Sequence, residues 1–475
     1  MFGLFGKPVT PLTEEQMKVQ NTIKGELEEL MGTVICHSPL KLWDYDKKKL
    51  ALSKEDLNPS EMYKKFYDKY MKDFKLPTDT DEYRPLYANN DEGGFDLANE
   101  KTLGIIRGIG WDLIKQIGQK IISGDFNLTT VTMPIKVMVP ISILQHVCNG
   151  HFNFPLYLNI ASTLTDDVER MKYVIVATVS NWYKSSVFLK PLNPIWGETY
   201  EMMWEDGSHE YVEQTSHHPP CSNFLIYGPN NNYRFSGYLN FKSNAWINSM
   251  KLTNTGKRCI DFKDGTHIDF NYCNDQYSNT FYGTLRDENI GEVEWNDVTH
   301  GITAKMSLGG SAKSALSDYF EGEIKKGDEV LCSFTGSYLS HIDFDEKRYW
   351  DIRRNIDIEE YPIKDQIKSS SIYRPDSLLL YQRKLDEAQE AKNELEEIQR
   401  RDRRLRKAWI EYGSVESVKN EKKQEQKVEK SLYGEDKDDD EETAKKKEEL
   451  LVTQKVNEEK VEEEEDIPEE EKLEE

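Results

Sequence analysis

From Leu103 the chain reads LGIIRGIGWDLIKQIGQKIISGD, which sets Ile105, Ile106, Ile109, Leu113, Ile117 and Ile121 at steps of three and four. That spacing predicts a helix with one apolar stripe. Gly104, Gly108, Gly110 and Gly118 each weaken it by roughly 1 kcal/mol relative to alanine. The segment therefore reads either as a helix packed on a core or as a mobile cover. DVERMKYVIVATVSNWYKSS predicts a second, largely buried helix. From about Glu198 to Phe344 the texture changes to short runs rich in Tyr, Phe, Val and Thr: TYEMMWE, HEYVEQTS, NFLIYG, YRFSGYLNF, HIDFNY, TFYGTLR, GEVEWNDV and VLCSFTGSYL. Strands at roughly 8 to 12 residue spacing between Asn, Asp and Gly clusters predict an antiparallel sheet, sandwich or barrel. A large sheet that curls shut hides its edges and can enclose a cavity. From Asp376 the helical period returns in DSLLLYQRKLDEAQEAKNELEEIQRRDRRLRKAWIEYG, read as one long charged helix.

The flanks change the picture differently at each end. Residues 1–100 mix helical pieces with charged, turn-rich stretches and contain no recognisable repeat, although the aromatic density of YKKFYDKYMKDF predicts partial order. Gly434–Glu475 holds 21 acidic and 7 basic residues, so this tail carries -14 of the net -24. It is too polar to bury and is expected to be disordered. The remainder is mildly acidic, which argues against a broad nucleic-acid footprint. At 475 residues the length suggests two to three domains. Cys36, Cys148, Cys221, Cys259, Cys273 and Cys332 are scattered and read as free thiols in a reducing, cytoplasmic compartment. The opening MFGLFGKPVT does not read as a secretory leader, and no apolar run is long enough to span a bilayer. Membrane contact is expected to be peripheral.

Three stretches are candidates for chemistry. In FLKPLNPIWGETYE, Pro191 and Pro194 predict a fixed turn without regular structure. The turn brings Lys190 and Asn193 together with free backbone amides, a combination suited to an anionic group. In YVEQTSHHPP, His217 and His218 precede Pro219 and Pro220; neighbouring side chains of a strand point to opposite faces, so both serve one site only if the chain bends there. AKNELEEIQR sets Lys392, Glu396 and Arg400 on one helix face. Each stretch alone also reads as ordinary structure: a turn, structural histidines, a solvated helix. No zinc spacing surrounds the histidines, no nucleophile elbow is present, and GLFGKP and LGGSAKSAL lack phosphate-loop spacing. Metal binding, nucleophilic catalysis and nucleotide hydrolysis are set aside, and no cofactor is expected.

Taken together, KPLNPIWGETYE followed some two dozen residues later by EQTSHHPP closely resembles the oxysterol-binding-protein family, in a short form without a clear pleckstrin-homology domain. The resemblance extends over about Gly104 to Tyr412 and includes IYRPD and the late K-x-x-x-E-x-x-x-R helix. Trp196, where smaller aliphatics are usual, and Thr215, for the commoner valine, are mild departures. The resemblance implies an α+β fold in which a nearly closed antiparallel β-barrel surrounds a lipid tunnel, with an N-terminal lid, C-terminal helices and the acidic tail. The implied layout is an extension over 1–100, a lipid-binding domain over 101–412 and a charged tail over 413–475. Within the domain the lid is expected at 103–125 (Ile105, Ile109, Leu113, Ile117), the barrel at about 130–345 and the helices at about 376–412. The implied function is lipid transfer without covalent chemistry. One sterol or phosphatidylserine-like lipid is carried and exchanged for phosphatidylinositol 4-phosphate during transient contact with organelle membranes. Carried over, Lys190, Asn193, His217, His218, Lys392, Glu396 and Arg400 match the phosphoinositide headgroup site. An alternative is a lipid sensor or scaffold, with the extension and tail recruiting partners that the sequence does not name.

Overall fold

The computed structural model describes Ser53 and residues 57–403 apart from 98, 118–132, 186–187, 218–219, 247, 310–315, 357, 365 and 402. The chain divides into two compact units, Met1–Gln399 and Arg400–Glu475. Eight α-helices are distinguished among the described residues: α1 (Pro59–Phe66), α2 (Glu100–Ile117), α3 (Ile143–Asn149), α4 (Phe154–Ser162), α5 (Asp167–Val179), α6 (Trp182–Ser185), α7 (Pro375–Tyr381) and α8 (385–401). The first strands are β1 (Phe95–Asp96), β2 (Met138–Ser142), β3 (Lys190–Leu192), β4 (Thr199–Trp204), β5 (His209–His217) and β6 (Pro220–Tyr227). Next come β7 (Tyr233–Trp246), β8 (Ser249–Asn254), β9 (Arg258–Phe262), β10 (His267–Phe270), β11 (Asn274–Ser278) and β12 (Arg286–Asp297). The series ends with β13 (Ile302–Leu308), β14 (Tyr319–Lys326), β15 (Glu329–Ser337), β16 (His341–Phe344), β17 (Lys347–Asp351) and β18 (Glu360–Pro362).

Sixteen of these strands form one sheet, along the path β17-β16-β15-β14-β13-β12-β10-β9-β7-β6-β5-β4-β18. The thirteen strands of that path, laid flat at about 4.8 Å each, would put the two ends roughly 58 Å apart. Asp351 closes one end and Glu360 opens the other, and nine residues of chain reach at most about 30 Å. The sheet must therefore curl back on itself, which selects among the sheet, sandwich and barrel that the strand spacing left open. The two longest strands also fork. β7 pairs with β9 through Gly237 and with β8 from Phe241, while β12 pairs with β11 up to Ile290 and with β10 from Trp295.

Inside the curl, Phe224, Phe235, Phe270 and Trp295, drawn from four strands, form a row of rings with centroids 4.9, 6.0 and 6.5 Å apart. Helices α4 and α5 pack on this face: Phe154 stacks on Phe235 at 4.4 Å, and the Trp295 indole N–H donates to Thr178 Oγ1 at 3.2 Å. Local chemistry starts these helices. Asp166 caps α5 by accepting from the Glu169 amide at 2.9 Å, and Ser142 with Gln145 forms a capping box on α3. Phe66, Tyr87, Phe95 and Leu97 belong to the same core, so residues ahead of α2 fill part of the interior.

Three expectations are corrected. Residues 280–285 of TFYGTLR form no strand, because Asn279 (φ 63°) and Gly283 (φ 86°) turn the chain through left-handed conformations. The late helix is broken at 382–384, where Arg383 has φ 57°, into α7 and α8. KPL is a short strand, since β3 pairs in parallel with β2 in a separate two-stranded sheet; Pro191, which has no N–H, is tolerated at this sheet edge.

Candidate functional site

The small parallel sheet positions Lys190. Met138 lies opposite Lys190 in register, and Leu192 is sealed in a second apolar cluster with Ile135, Met138, Leu380 and Ala388. That cluster joins the strand pair to α7 and α8. The Ile135 amide donates to Gln389 Oε1 at 2.8 Å, and the Ser377 hydroxyl donates to the Pro140 carbonyl at 2.6 Å. Lys392, one turn beyond Ala388 on α8, is thereby carried to the neighbourhood of Lys190 from a distant part of the sequence. Lys190 donates through Nζ to Asn193 Oδ1, and Lys392 pairs with Glu396 at 2.6 Å.

A buried arginine folds the turn onto the sheet. Arg374 donates to both carboxylate oxygens of Asp376 (3.0 and 2.6 Å), to Glu198 Oε2 (3.0 Å) and to the Asn193 carbonyl (2.6 Å). Glu198 completes the clasp by accepting from the Ile195 amide at 2.9 Å and the Ser371 hydroxyl at 2.7 Å. Gly197, at φ 80°, lets the turn close, and its amide donates to the Gln214 carbonyl at 2.9 Å. Gln214 in turn accepts from the Ser222 hydroxyl at 2.5 Å and donates to the Ser216 carbonyl at 2.6 Å, bridging the bulge between Gln214 and Ser216. The strand carrying EQTSH is thus tied to the turn carrying KPLN. His217 ends β5 opposite Pro220, while His218 lies outside the described residues.

The electrostatics single out Lys190. Burial, together with the charges of Lys392 and Arg374, pulls its pKa down to about 8. Burial also works against the charge of Arg374, but the carboxylates of Asp376 and Glu198 outweigh it and raise its pKa. Arg374 is therefore occupied with structure and Lys392 is paired with Glu396, whereas Lys190 is bonded to the neutral Asn193 amide and keeps its positive charge beside it. An anion with several acceptor oxygens suits such a group. Arg400 falls in the second unit. The sequence reading assigns Arg374 and Glu198 no role, although IYRPD and GETYE both belong to the stretches that carry the resemblance. Among the described residues no group of three His, Cys, Asp or Glu is arranged to hold a metal.

On the candidate cover, Ile109 is buried and Ile105 and Ile106 pack against the core. Leu113 and Ile117 continue α2, while Ile121 lies outside the described residues. Arg107 donates to the carbonyls of Asn279 (3.2 Å), Thr280 (3.4 Å) and Gly283, and Trp111 meets Phe281 edge-on at 5.1 Å. A Cβ on Gly110 would lie 2.8 Å from the Phe281 ring. That glycine therefore permits a close approach as well as softening the helix. No helix among the described residues is long and apolar enough to cross a membrane.

A curled antiparallel sheet with an aromatic interior and a cationic cluster on its helical flank defines a β-walled binding protein. The sequence model of the oxysterol-binding protein family matches residues 113–370, more than half of the chain. Oxysterol-binding protein 9 of Dictyostelium discoideum is 29% identical over 291 residues, covering 56% of this chain and 68% of that protein. Mouse oxysterol-binding protein-related protein 8 is 26% identical over 334 residues, covering 63% of this chain and 36% of that protein. The chain thus spans about two thirds of the first relative and about one third of the second. Among solved structures, the Osh3 ORD of Saccharomyces cerevisiae in complex with PI(4)P superposes with a TM-score of 0.53 at 19% identity, covering 69% of this chain and 89% of that one. The Osh1 ORD in complex with ergosterol gives the same score and identity over 74% and 88%. The chain belongs to the oxysterol-binding protein family. That family consists of lipid-binding and lipid-transfer proteins, not enzymes.

Proposed function

We propose that this chain is a lipid carrier that takes one sterol or phospholipid into the curled sheet and exchanges it between membranes for phosphatidylinositol 4-phosphate. The observation that carries this reading is the convergence of Lys190 and Lys392 beside Asn193, on a turn held in place by Arg374 and Glu198. A phosphomonoester carries about -1.5 to -2 charges near neutral pH, and ammonium donors give such a group charge-assisted hydrogen bonds. In this reading Lys190, Asn193, His217, His218, Lys392 and Glu396 hold the headgroup. The acyl chains lie within the curl of the sheet, where burial yields roughly 25 cal/mol per Å². The helix α2 serves as the lid, latched by Arg107 and opened by peripheral contact with a membrane in the cytoplasm. The Osh3 complex with PI(4)P and the Osh1 complex with ergosterol support the two kinds of cargo.

The test is extraction of labelled phosphatidylinositol 4-phosphate from liposomes by the purified chain, comparing wild type with the double variant His217→Ala/His218→Ala. Strong extraction that collapses in the variant is the expected result. Failure of the wild type to extract it would overturn the exchange reading.

A further inference from the structure

A second polar point lies in the interior. Arg258 opens β9 between Gly237 of β7 and Phe270 of β10, and it shares a face with Ile260 and Phe262 of the core. It is 4% exposed. Its guanidinium lies 4.0 Å from the centroid of Tyr272, which meets the buried Trp182 edge-on at 5.7 Å. Gly237 makes room for it, since a Cβ there would come within 2.9 Å of Arg258 Cγ and 2.8 Å of the Phe224 ring.

What this guanidinium lacks, among the described residues, is an acceptor for Nη1. Nη1 is buried without a hydrogen-bond partner, and no described residue forms an ion pair or a side-chain hydrogen bond with Arg258. Asp275 is near enough for its charge to be felt, yet it is not paired with the arginine. The Nη1 end of the guanidinium, with two N–H donors, is thus held in the core beside the Tyr272 ring. A buried unpaired charge costs several kcal/mol, and a cation–π contact returns about 2 kcal/mol of that. The position also differs from that of the histidines. Along β6, Pro220 faces His217 and Phe224 faces Gly237, a separation of four residues or about 13 Å.

We infer that Arg258 is a binding residue for an anionic group on the carried lipid, so that the cargo exchanged by this chain is an anionic lipid in preference to a neutral sterol. The inference rests on the carrier reading and names its cargo class. A sterol hydroxyl offers one acceptor and no charge, whereas a sulfate, phosphate or carboxylate supplies both a counter-charge and the paired oxygens that a guanidinium fits.

The experiment uses the full chain and Arg258→Met with phosphatidylcholine vesicles containing cholesterol, cholesterol sulfate or phosphatidylserine. The first two differ only in the anionic group, and the third moves that group to a diacyl lipid. Wild type is expected to extract at least one anionic lipid tenfold or more over cholesterol. Arg258→Met should lose that preference while extracting phosphatidylinositol 4-phosphate within twofold of wild type. A folded Arg258→Met with unchanged preference, or a wild type that takes cholesterol as readily, overturns the inference. If no lipid leaves the vesicles, the carrier reading fails, and the site is then judged by melting with decanoate or decanol. A rise in Tm with decanoate alone, absent in Arg258→Met, upholds an anion site; equal shifts in both proteins overturn it.

Discussion

Arg374 and Arg258 are both almost fully buried, each 4% exposed, yet their surroundings are opposite. Arg374 has two carboxylates and a carbonyl within hydrogen-bonding distance, while Arg258 lies against an aromatic ring with Nη1 lacking an acceptor among the described residues. The two environments assign the charges different purposes. A buried guanidinium whose donors are satisfied by the chain holds the chain together, and one whose donors are not satisfied is kept at a cost that folding alone does not explain. Removing the first should therefore damage the fold, and removing the second should spare it.

The largest effect is expected for Arg374→Met, which strands Glu198 and Asp376 as buried carboxylates. A loss of about 3 to 5 kcal/mol should appear in chemical denaturation, together with weakened phosphoinositide extraction because the KPLN turn loosens. A loss under about 1 kcal/mol would erase the contrast between the two arginines. Next, Lys190→Ala should not destabilise the chain, since the buried ammonium itself costs stability near neutral pH, but it should weaken phosphatidylinositol 4-phosphate binding by about 2 kcal/mol, or roughly 30-fold, measured by extraction at fixed salt.

The pH dependence follows from the same lysine. Its folded pKa of about 8 lies below its ordinary 10.5, so the ammonium is present near neutral pH and is lost as pH rises through that value. Headgroup affinity should fall about tenfold between about pH 7 and pH 9. Stability without ligand should rise from pH 8 toward 10.5, because the unfolded chain then holds the proton that the folded chain has released. A flat binding profile in wild type would remove Lys190 from the site.

Arg258→Met should stabilise the chain without ligand by about 1 kcal/mol, since it replaces an unpaired buried charge with an apolar side chain of similar length. Clear destabilisation would make Arg258 structural, like Arg374. The smallest effect belongs to Arg107→Ala. Removing its bonds to the 279–283 loop should speed lipid loss from the bound state a few-fold, consistent with about 1 kcal/mol of latch; unchanged retention would remove α2 from a lid role.

Much of the wall was legible in the sequence because strand patterning is local. The alternation in HEYVEQTS and GEVEWNDV marks which side chains face inward, whatever lies across the sheet. TFYGTLR misled because its aromatic content imitates a strand, while Asn279 and Gly283 bend the backbone in a way composition alone does not reveal. The single helix read from Asp376 failed at Arg383 for a similar reason, since nothing in that residue type announces a left-handed turn.

The strand-rich wall, the apolar stripe of α2 and the two motifs that mark the family are each encoded within a few neighbouring residues, and the chain could be read for them unaided. Other features came from the packed molecule alone: Phe66 and Phe95 complete the core, Arg374 clasps Glu198 from 176 residues away, and Arg258 sits in the interior with no acceptor for Nη1 among the described residues. Burial and hydrogen-bond satisfaction depend on which distant segments surround a side chain, and local pattern carries no record of them.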